Sequence, residues 1–172
     1  MMVENEILYT ASSKISGIQF NAFSSQIGIR YLFLNKKDFA LNNAIVTKLY
    51  PDDPYMFNIF KQLTEYFDHS RQKFTIPLDI HGTKFQMKVW QQLIQIPYGA
   101  TISYQRLAEN IGDTKAVRAV GKANGSNPVS IIIPCHRVIN SNGKLGGYSG
   151  GLDIKEKLLE LEGGLSLELF EK

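Results

Sequence analysis

The hydrophobic pattern of this chain changes period at Gly82, and that change dictates two dissimilar halves. Before it, "EILYTASS", "KISGIQFNAF" and "QIGIRYLFLN" mix aromatic and β-branched residues with short polar breaks, which predicts an antiparallel meander. "PDDPYMFNIFKQLTEYFDHS" then offers Asp53 as an N-cap and Pro54 in a first helical turn. Phe57, Phe60, Leu63 and Phe67 follow at helical spacing as a stripe for core packing. "KFTIPLDIHG" predicts a short strand running into a linker at Gly82.

Beyond Gly82 the apolar residues recur at helical spacing. In "TKFQMKVWQQLIQIPYG", Thr83 is the cap, Phe85, Val89, Leu93 and Ile96 form one face, and Pro97 is the stop. "TISYQRLAENIG" has Ser103 as cap, Leu107 and Ile111 facing inward, and Gly112 as its end. "DTKAVRAVGKANG" predicts a second short helix over Thr114 to Asn124, so the pair reads as a helix-turn-helix. "IIIP" reads as a buried strand cut off by proline, which cannot continue a hydrogen-bond ladder. "GLDIKEKLLELEGG" predicts a last helix with Leu158, Leu159 and Leu161 inward. Glu160 and Glu162 fall in its final turn, where negative charge opposes the macrodipole by about 0.3–1 kcal/mol, so Glu162 calls for a partner or a task. The expectation is an α+β protein. Residues 1–80 form a small domain with an antiparallel sheet and a helix, and residues 81–172 a mostly helical domain with the helix-turn-helix.

Hydrophobic residues at 44% and charged residues at 20% suit a soluble globular chain. No apolar run approaches the roughly 20 residues that span a bilayer, and "MMVENEILYT" lacks the layout of a secretion signal. A cytoplasmic protein with no membrane partner is expected. One cysteine excludes an intramolecular disulfide, and three scattered histidines argue against a closed zinc site, so no metal is expected. Residues 84–144 carry eight cations against Glu109 and Asp113, a local charge of +6 in a chain of net +3. Such a basic middle fits either a polyanion partner or a solvated charged face.

The single cysteine, Cys135, sits in "IIIPCHRVINSNGKLGGYSGG". A lone cytosolic cysteine is most often a small buried hydrophobe. The alternative is a nucleophile: a thiol of pKa about 8.5 needs a base, and His136 is adjacent. Neighbouring side chains in a strand point to opposite faces, so the pair works only where the strand breaks, as Pro134 indicates. Glu162 is then the acid placed to hold the imidazole.

"NPVSIIIPCHRVI", with "YGATISYQRLA" upstream and "GGYSGGLDIKEKLLELEG" downstream, closely resembles the O6-alkylguanine-DNA alkyltransferases (methylated-DNA–protein-cysteine methyltransferases) across residues 78–165. The resemblance implies a ribonuclease-H-like domain over 1–80 and a DNA-binding alkyltransferase domain over 81–172. It implies that Cys135 takes the alkyl group from O6 of guanine, and as a second substrate from O4 of thymine, irreversibly and once. By the same resemblance His136 deprotonates Cys135 through a water, Glu162 orients His136, and Asn127 braces the active-site turn. Tyr104 protonates the leaving guanine at N3 and rotates the 3′ phosphate. Arg118 enters the base stack in place of the flipped nucleotide, with Ser103 and Lys122 as further DNA contacts. Val138, Gly146, Tyr148 and Ser149 line the base pocket. Ser130 stands where the family pattern often has proline, a difference at the pocket lip. The implied partner is double-stranded DNA entered from the minor groove by a monomer. No cofactor is implied, since the alkylated DNA is itself the donor. The residues alone leave two other classes open: a sequence-specific DNA regulator, which makes no covalent change, and a Cys-His hydrolase, which turns over.

Overall fold

The computed structural model describes residues 6–36, 41 and 44–164. These fall into two compact units, residues 1–80 and residues 81–172. The first is built on β1 (Glu6–Ile15), β2 (Ile18–Ser24), β3 (Ile29–Leu34) and β4 (Ala44–Lys48), in the order β3-β2-β1-β4. β1 to β3 form the expected antiparallel meander, while β4, which the sequence did not reveal, pairs parallel to β1.

The first hairpin turns later than the polar break at Ser12–Ser13 suggested. Ile15 pairs with Ile18, so Ser16 and Gly17 alone make the turn, at φ of +51° and +82°. Two positive φ angles give the turn whose twist matches that of paired strands, which draws Lys14 and Ile15 into β1. The helix α1 (Pro54–Phe67) begins as expected, with the Asp53 carboxylate accepting from the Tyr55 amide at 3.1 Å. Its buried stripe runs through Met56, Ile59, Phe60, Leu63 and Phe67, and the Phe67 ring meets Phe20 of the sheet at 5.9 Å. Phe57 lies off that stripe and is 52% exposed, a correction to its expected core role. The strand expected in "KFTIPLDIHG" is reduced to one bridge between Leu78 and Ile29, because Pro77 has no amide hydrogen to extend it.

The second unit contains α2 (Lys84–Ile94), β5 (Ile102–Ser103), α3 (Tyr104–Asn110), α4 (Val117–Gly125), β6 (Val138–Ile139) and α5 (Leu152–Leu161). Thr83 and Gln86 form a reciprocal capping box at the head of α2. The Ser103 hydroxyl caps α3 by accepting from the Arg106 amide at 3.0 Å. The indole of Trp90 donates to the Ala123 carbonyl at 2.9 Å, tying α2 to α4 in the core. Parallel pairing of β5 with β6 brings the start of α3 beside the segment that follows Cys135.

Three expectations for this unit need correction. The second short helix begins at Val117 rather than Thr114, because Asp113 accepts from the Lys115 amide at 3.1 Å and closes a separate turn first. The run "IIIP" is not a strand. Ile131 adopts φ +73°, and a single bridge joins Ser130 to Ile133 across a tight loop. The last helix ends at Leu161 with Leu161 itself only partly buried, and Glu162 is its C-cap.

Candidate active site

The loop that presents Cys135 is closed by backbone bonds from the Ile132 amide to the Ser130 carbonyl and from the Ile133 amide to the Val129 carbonyl, both at 3.0 Å, and by the side chain of Asn127. Asn127, buried, donates from Nδ2 to the Ile133 carbonyl at 2.8 Å and accepts at Oδ1 from the Val129 amide at 3.0 Å. Together these bonds close residues 127–133 so tightly that Ile131, a β-branched residue, is held in the left-handed region. Cys135 then opens one turn of 3₁₀ helix, Cys135–Arg137. In such a turn successive side chains fan out by about 120°, so Cys135, His136 and Arg137 are all buried without the alternation of a strand.

Glu162 turns its carboxylate inward from the end of α5. Oε1 accepts from His136 Nε2 at 3.0 Å and from Arg137 Nη2 at 2.8 Å. Oε2 accepts from Arg137 Nε at 2.8 Å and from the Gly99 amide at 3.3 Å. Burial alone would raise the pKa of this carboxyl, but the hydrogen bonds and charges of His136 and Arg137 outweigh it and hold it at about 2. An ionised carboxylate only accepts, so Nε2 carries the His136 proton and Nδ1 is left with a lone pair. That Nδ1 is buried and has no hydrogen-bond partner among the described residues. Burial pushes the His136 pKa down. Glu162 opposes this, and the charges of Arg137 and Lys155 add to it. The imidazole is therefore neutral at pH 7.

Cys135 is 2% exposed. Burial pushes its pKa up, while the Asn127 amide, the Lys155 ammonium and the Ser130 hydroxyl pull it back. The resting group is a thiol, and its proton needs an acceptor before sulfur can act as a nucleophile.

Arg137 and Lys155 belong to this cluster, and sequence reasoning missed both. Arg137 was counted in the basic surface, yet it is 6% exposed, and its Nη1 donates to the Ile96 carbonyl at 2.6 Å. Lys155 is fully buried on α5, donating from Nζ to the carbonyls of Val138, at 2.6 Å, and Leu145. Burial lowers its pKa to about 8, and the nearby Cys135 charge resists that fall. The available signal was its spacing: Lys155 shares the apolar stripe of Ile154, Leu158 and Leu159.

The other predicted residues divide into those near the thiol and those on the surface. Tyr104, half-buried at the head of α3, has its pKa raised by burial and by the Cys135 charge, which places its hydroxyl in the same electrostatic site. The loop after β6 closes on that ring: a Cβ at Gly146, where φ is +68°, would lie 3.1 Å from Tyr104 Cε2. Val138 is fully buried, with its carbonyl held by Lys155. The Tyr148 hydroxyl is buried and has no hydrogen-bond partner among the described residues. Burial raises its pKa, the Cys135 charge adds to this, and the Ser130 side chain opposes it. Ser149 is exposed, and so are Arg118 and Lys122, side by side on α4 with Ala119 and away from the buried cluster. Ser103 Oγ is occupied as the cap of α3.

Comparison with known proteins bears on both units. Residues 84–164 match the DNA-binding domain of 6-O-methylguanine DNA methyltransferase, and residues 22–80 match its ribonuclease-like domain. A methylated-DNA–protein-cysteine methyltransferase of Mycolicibacterium paratuberculosis is 44% identical over 166 residues, covering 90% of this chain and 99% of the relative. The chain belongs to the methylated-DNA–protein-cysteine methyltransferases. A second member of the family, from Methanosarcina acetivorans, is 56% identical over 103 residues, covering 60% of this chain and 66% of the relative. The crystal structure of Mycobacterium tuberculosis OGT in complex with DNA superposes with a TM-score of 0.78 at 38% identity, covering 91% of this chain and 92% of that one. The α+β architecture is thus the family's own, and the 84–164 match encloses every member of the polar cluster from Tyr104 to Glu162.

Proposed function

We propose that this methyltransferase repairs DNA by moving an alkyl group from O6 of guanine, and secondarily from O4 of thymine, onto its own Cys135, once and irreversibly. The observation that carries this reading is the pairing of the chain's only cysteine with a neutral, buried histidine. The Nδ1 of that histidine has no hydrogen-bond partner among the described residues, and its other nitrogen is anchored on an ionised carboxylate. The thiol proton passes through one water to His136 Nδ1. The sulfur then attacks the alkyl carbon, the carbon–O6 bond breaks, and its electron pair moves into the guanine ring. Tyr104 gives its proton to N3, so the base leaves neutral. The imidazolium formed on His136 is stabilised by Glu162. The thioether product carries no charge and no group in the site reverses it, which limits each chain to one event.

A base within a duplex is out of reach of a buried thiol, so the target nucleotide is extruded at a cost of a few kcal/mol in lost stacking. Arg118, exposed beside the small Ala119 on α4, suits insertion into the vacated stack from the minor groove, and Lys122 on the same helix suits a phosphate. Tyr104 and Ser103, at the α3 end of the same helix pair, adjoin the backbone of the flipped nucleotide. Val138, Gly146, Tyr148 and Ser149 enclose the base. Residues 1–80 then act as a ribonuclease-H-like domain, and residues 81–172 carry DNA binding and transfer. The cluster is complete within one chain, which supports a monomer, and a free acceptor thiol is kept reduced in the cytoplasm. No helix among the described residues is long and apolar enough to cross a membrane.

Cys135→Ala tests this reading. The variant should bind an O6-methylguanine duplex and remove none of its methyl group; a variant that still demethylates the duplex would contradict the assignment.

A further inference from the structure

Asn124 is a buried polar side chain of α4, 3% exposed, that the mechanism above does not use. Its Nδ2 donates to the Cys135 carbonyl at 3.4 Å. Its Oδ1 is buried and has no hydrogen-bond partner among the described residues. The amide also has a second N–H besides the one given to Cys135, so the side chain can serve a further acceptor.

Tyr104 is the neighbour that gives it a use. Gly121, one turn before Asn124 on the same face of α4, abuts the Tyr104 ring: a Cβ there would lie 3.9 Å from Cδ1 and Cε1. Of the influences on the phenol, burial raises its pKa most and the Cys135 charge adds to it, whereas the hydrogen-bonding side chain of Asn124 opposes both.

We propose that Asn124 is a positioning residue that couples the proton donor to the nucleophile. Its one amide reaches from the Cys135 carbonyl to the Tyr104 hydroxyl, aims the phenol at the base that sulfur attacks, and offers a donor to the phenolic oxygen as its proton leaves. This rests on the reading of Tyr104 given under Proposed function. In the transfer step the S–C bond forms and the C–O6 bond breaks, while the Tyr104 proton moves to guanine N3. The phenolate left behind, stabilised by the Asn124 N–H, recovers through water the proton that His136 took from Cys135, once the product base has moved away.

The experiment compares single-turnover transfer from duplexes carrying O6-methylguanine or its 3-deaza analogue, which has no N3 to protonate. Asn124→Leu should slow the O6-methylguanine reaction about tenfold, a fraction of what a positioned general acid supplies. It should slow the 3-deaza reaction far less, and Asn124→Leu combined with Tyr104→Phe should be no slower than Tyr104→Phe alone. Alkylation of Cys135 by iodoacetamide should keep its wild-type pH profile, which a general loosening of the site would alter. If Asn124→Leu does not fold, Asn124→Asp keeps the shape, replaces the donor with an acceptor, and carries the same expectation for the two duplexes and the double variant, while its added charge should move the iodoacetamide profile to higher pH. Equal losses on both bases, or additive losses in the double variant, would overturn the coupling while leaving Tyr104 as donor. A Tyr104→Phe variant as fast as wild type would overturn the donor reading itself, and this proposal with it.

Discussion

Replacing Glu162 with glutamine keeps the shape of the side chain and removes its charge, and the structure sets what that should cost. In the folded protein the carboxyl sits at about 2, well below its ordinary 4.5. That difference corresponds to about 3 kcal/mol of stability. Glu162→Gln also replaces the carboxylate that Arg137 Nε and Nη2 both grip with an amide whose one oxygen can serve only part of that grip, leaving a buried cation without its counter-charge. Removing one partner of a buried ion pair costs about 3–5 kcal/mol, a large part of a typical domain's stability. The sign with pH follows from a depressed folded-state pKa. The carboxylate's contribution is fully present above about 4.5 and is lost as pH falls toward 2. Urea unfolding of both proteins from pH 7 down to pH 2 should therefore show the wild type ahead by about 3–5 kcal/mol at neutrality, with the gap closing by about 3 kcal/mol at the acid end. Transfer should slow about a hundredfold as well, because a neutral amide stabilises the His136 imidazolium less and, being donor as well as acceptor, no longer enforces a proton on Nε2. A gap that stays constant with pH would refute the ion-pair argument, and an unchanged transfer rate would refute the anchoring of His136.

Asn127→Ala should destabilise the protein by about 1–3 kcal/mol in urea, because it orphans the buried Val129 amide and leaves the Ile133 carbonyl with the Cys135 amide alone; a loss under about 0.5 kcal/mol would mean the loop is held elsewhere. Arg118→Ala should lose much of its rate on an O6-methylguanine duplex while reacting normally with free O6-benzylguanine, since only the duplex has a stack to fill; equal losses on both would end the insertion role. Lys122→Ala should weaken binding to every duplex alike and flatten the salt dependence by about one unit of slope, as the loss of one phosphate contact does.

The parts of this site that were legible in the sequence are those where one residue violates a local rule. Pro134 ends the apolar run, and the chain does turn there to present Cys135. Glu162 is misplaced against a helix dipole, and it proves to be buried on Arg137 and His136. Asp53, Thr83 and Ser103 announce helix starts because a side-chain oxygen satisfies amides that the helix cannot. What escaped depends on contacts remote in the chain. Arg137 looks like surface charge until Glu162, 25 residues on, is folded against it. Lys155 looks solvated until the Val138 and Leu145 carbonyls converge on it. Ile131 has a strand former's side chain, and the side-chain and backbone hydrogen bonds that close residues 127–133 around it hold it left-handed. The parallel strand β4 carries no turn signal tying it to β1, and most of its residues are exposed, so its sequence lacks the alternation that marks a half-buried strand.

Intact-mass measurement after incubation with an O6-methylguanine duplex tests the central claim most directly. Every active chain should gain the mass of one methyl group, peptide mapping should place it on Cys135, and loss of methyl from the DNA should stop at one equivalent per chain. Demethylated DNA alongside a protein of unchanged mass, or more than one methyl removed per chain, would contradict Cys135 as the acceptor.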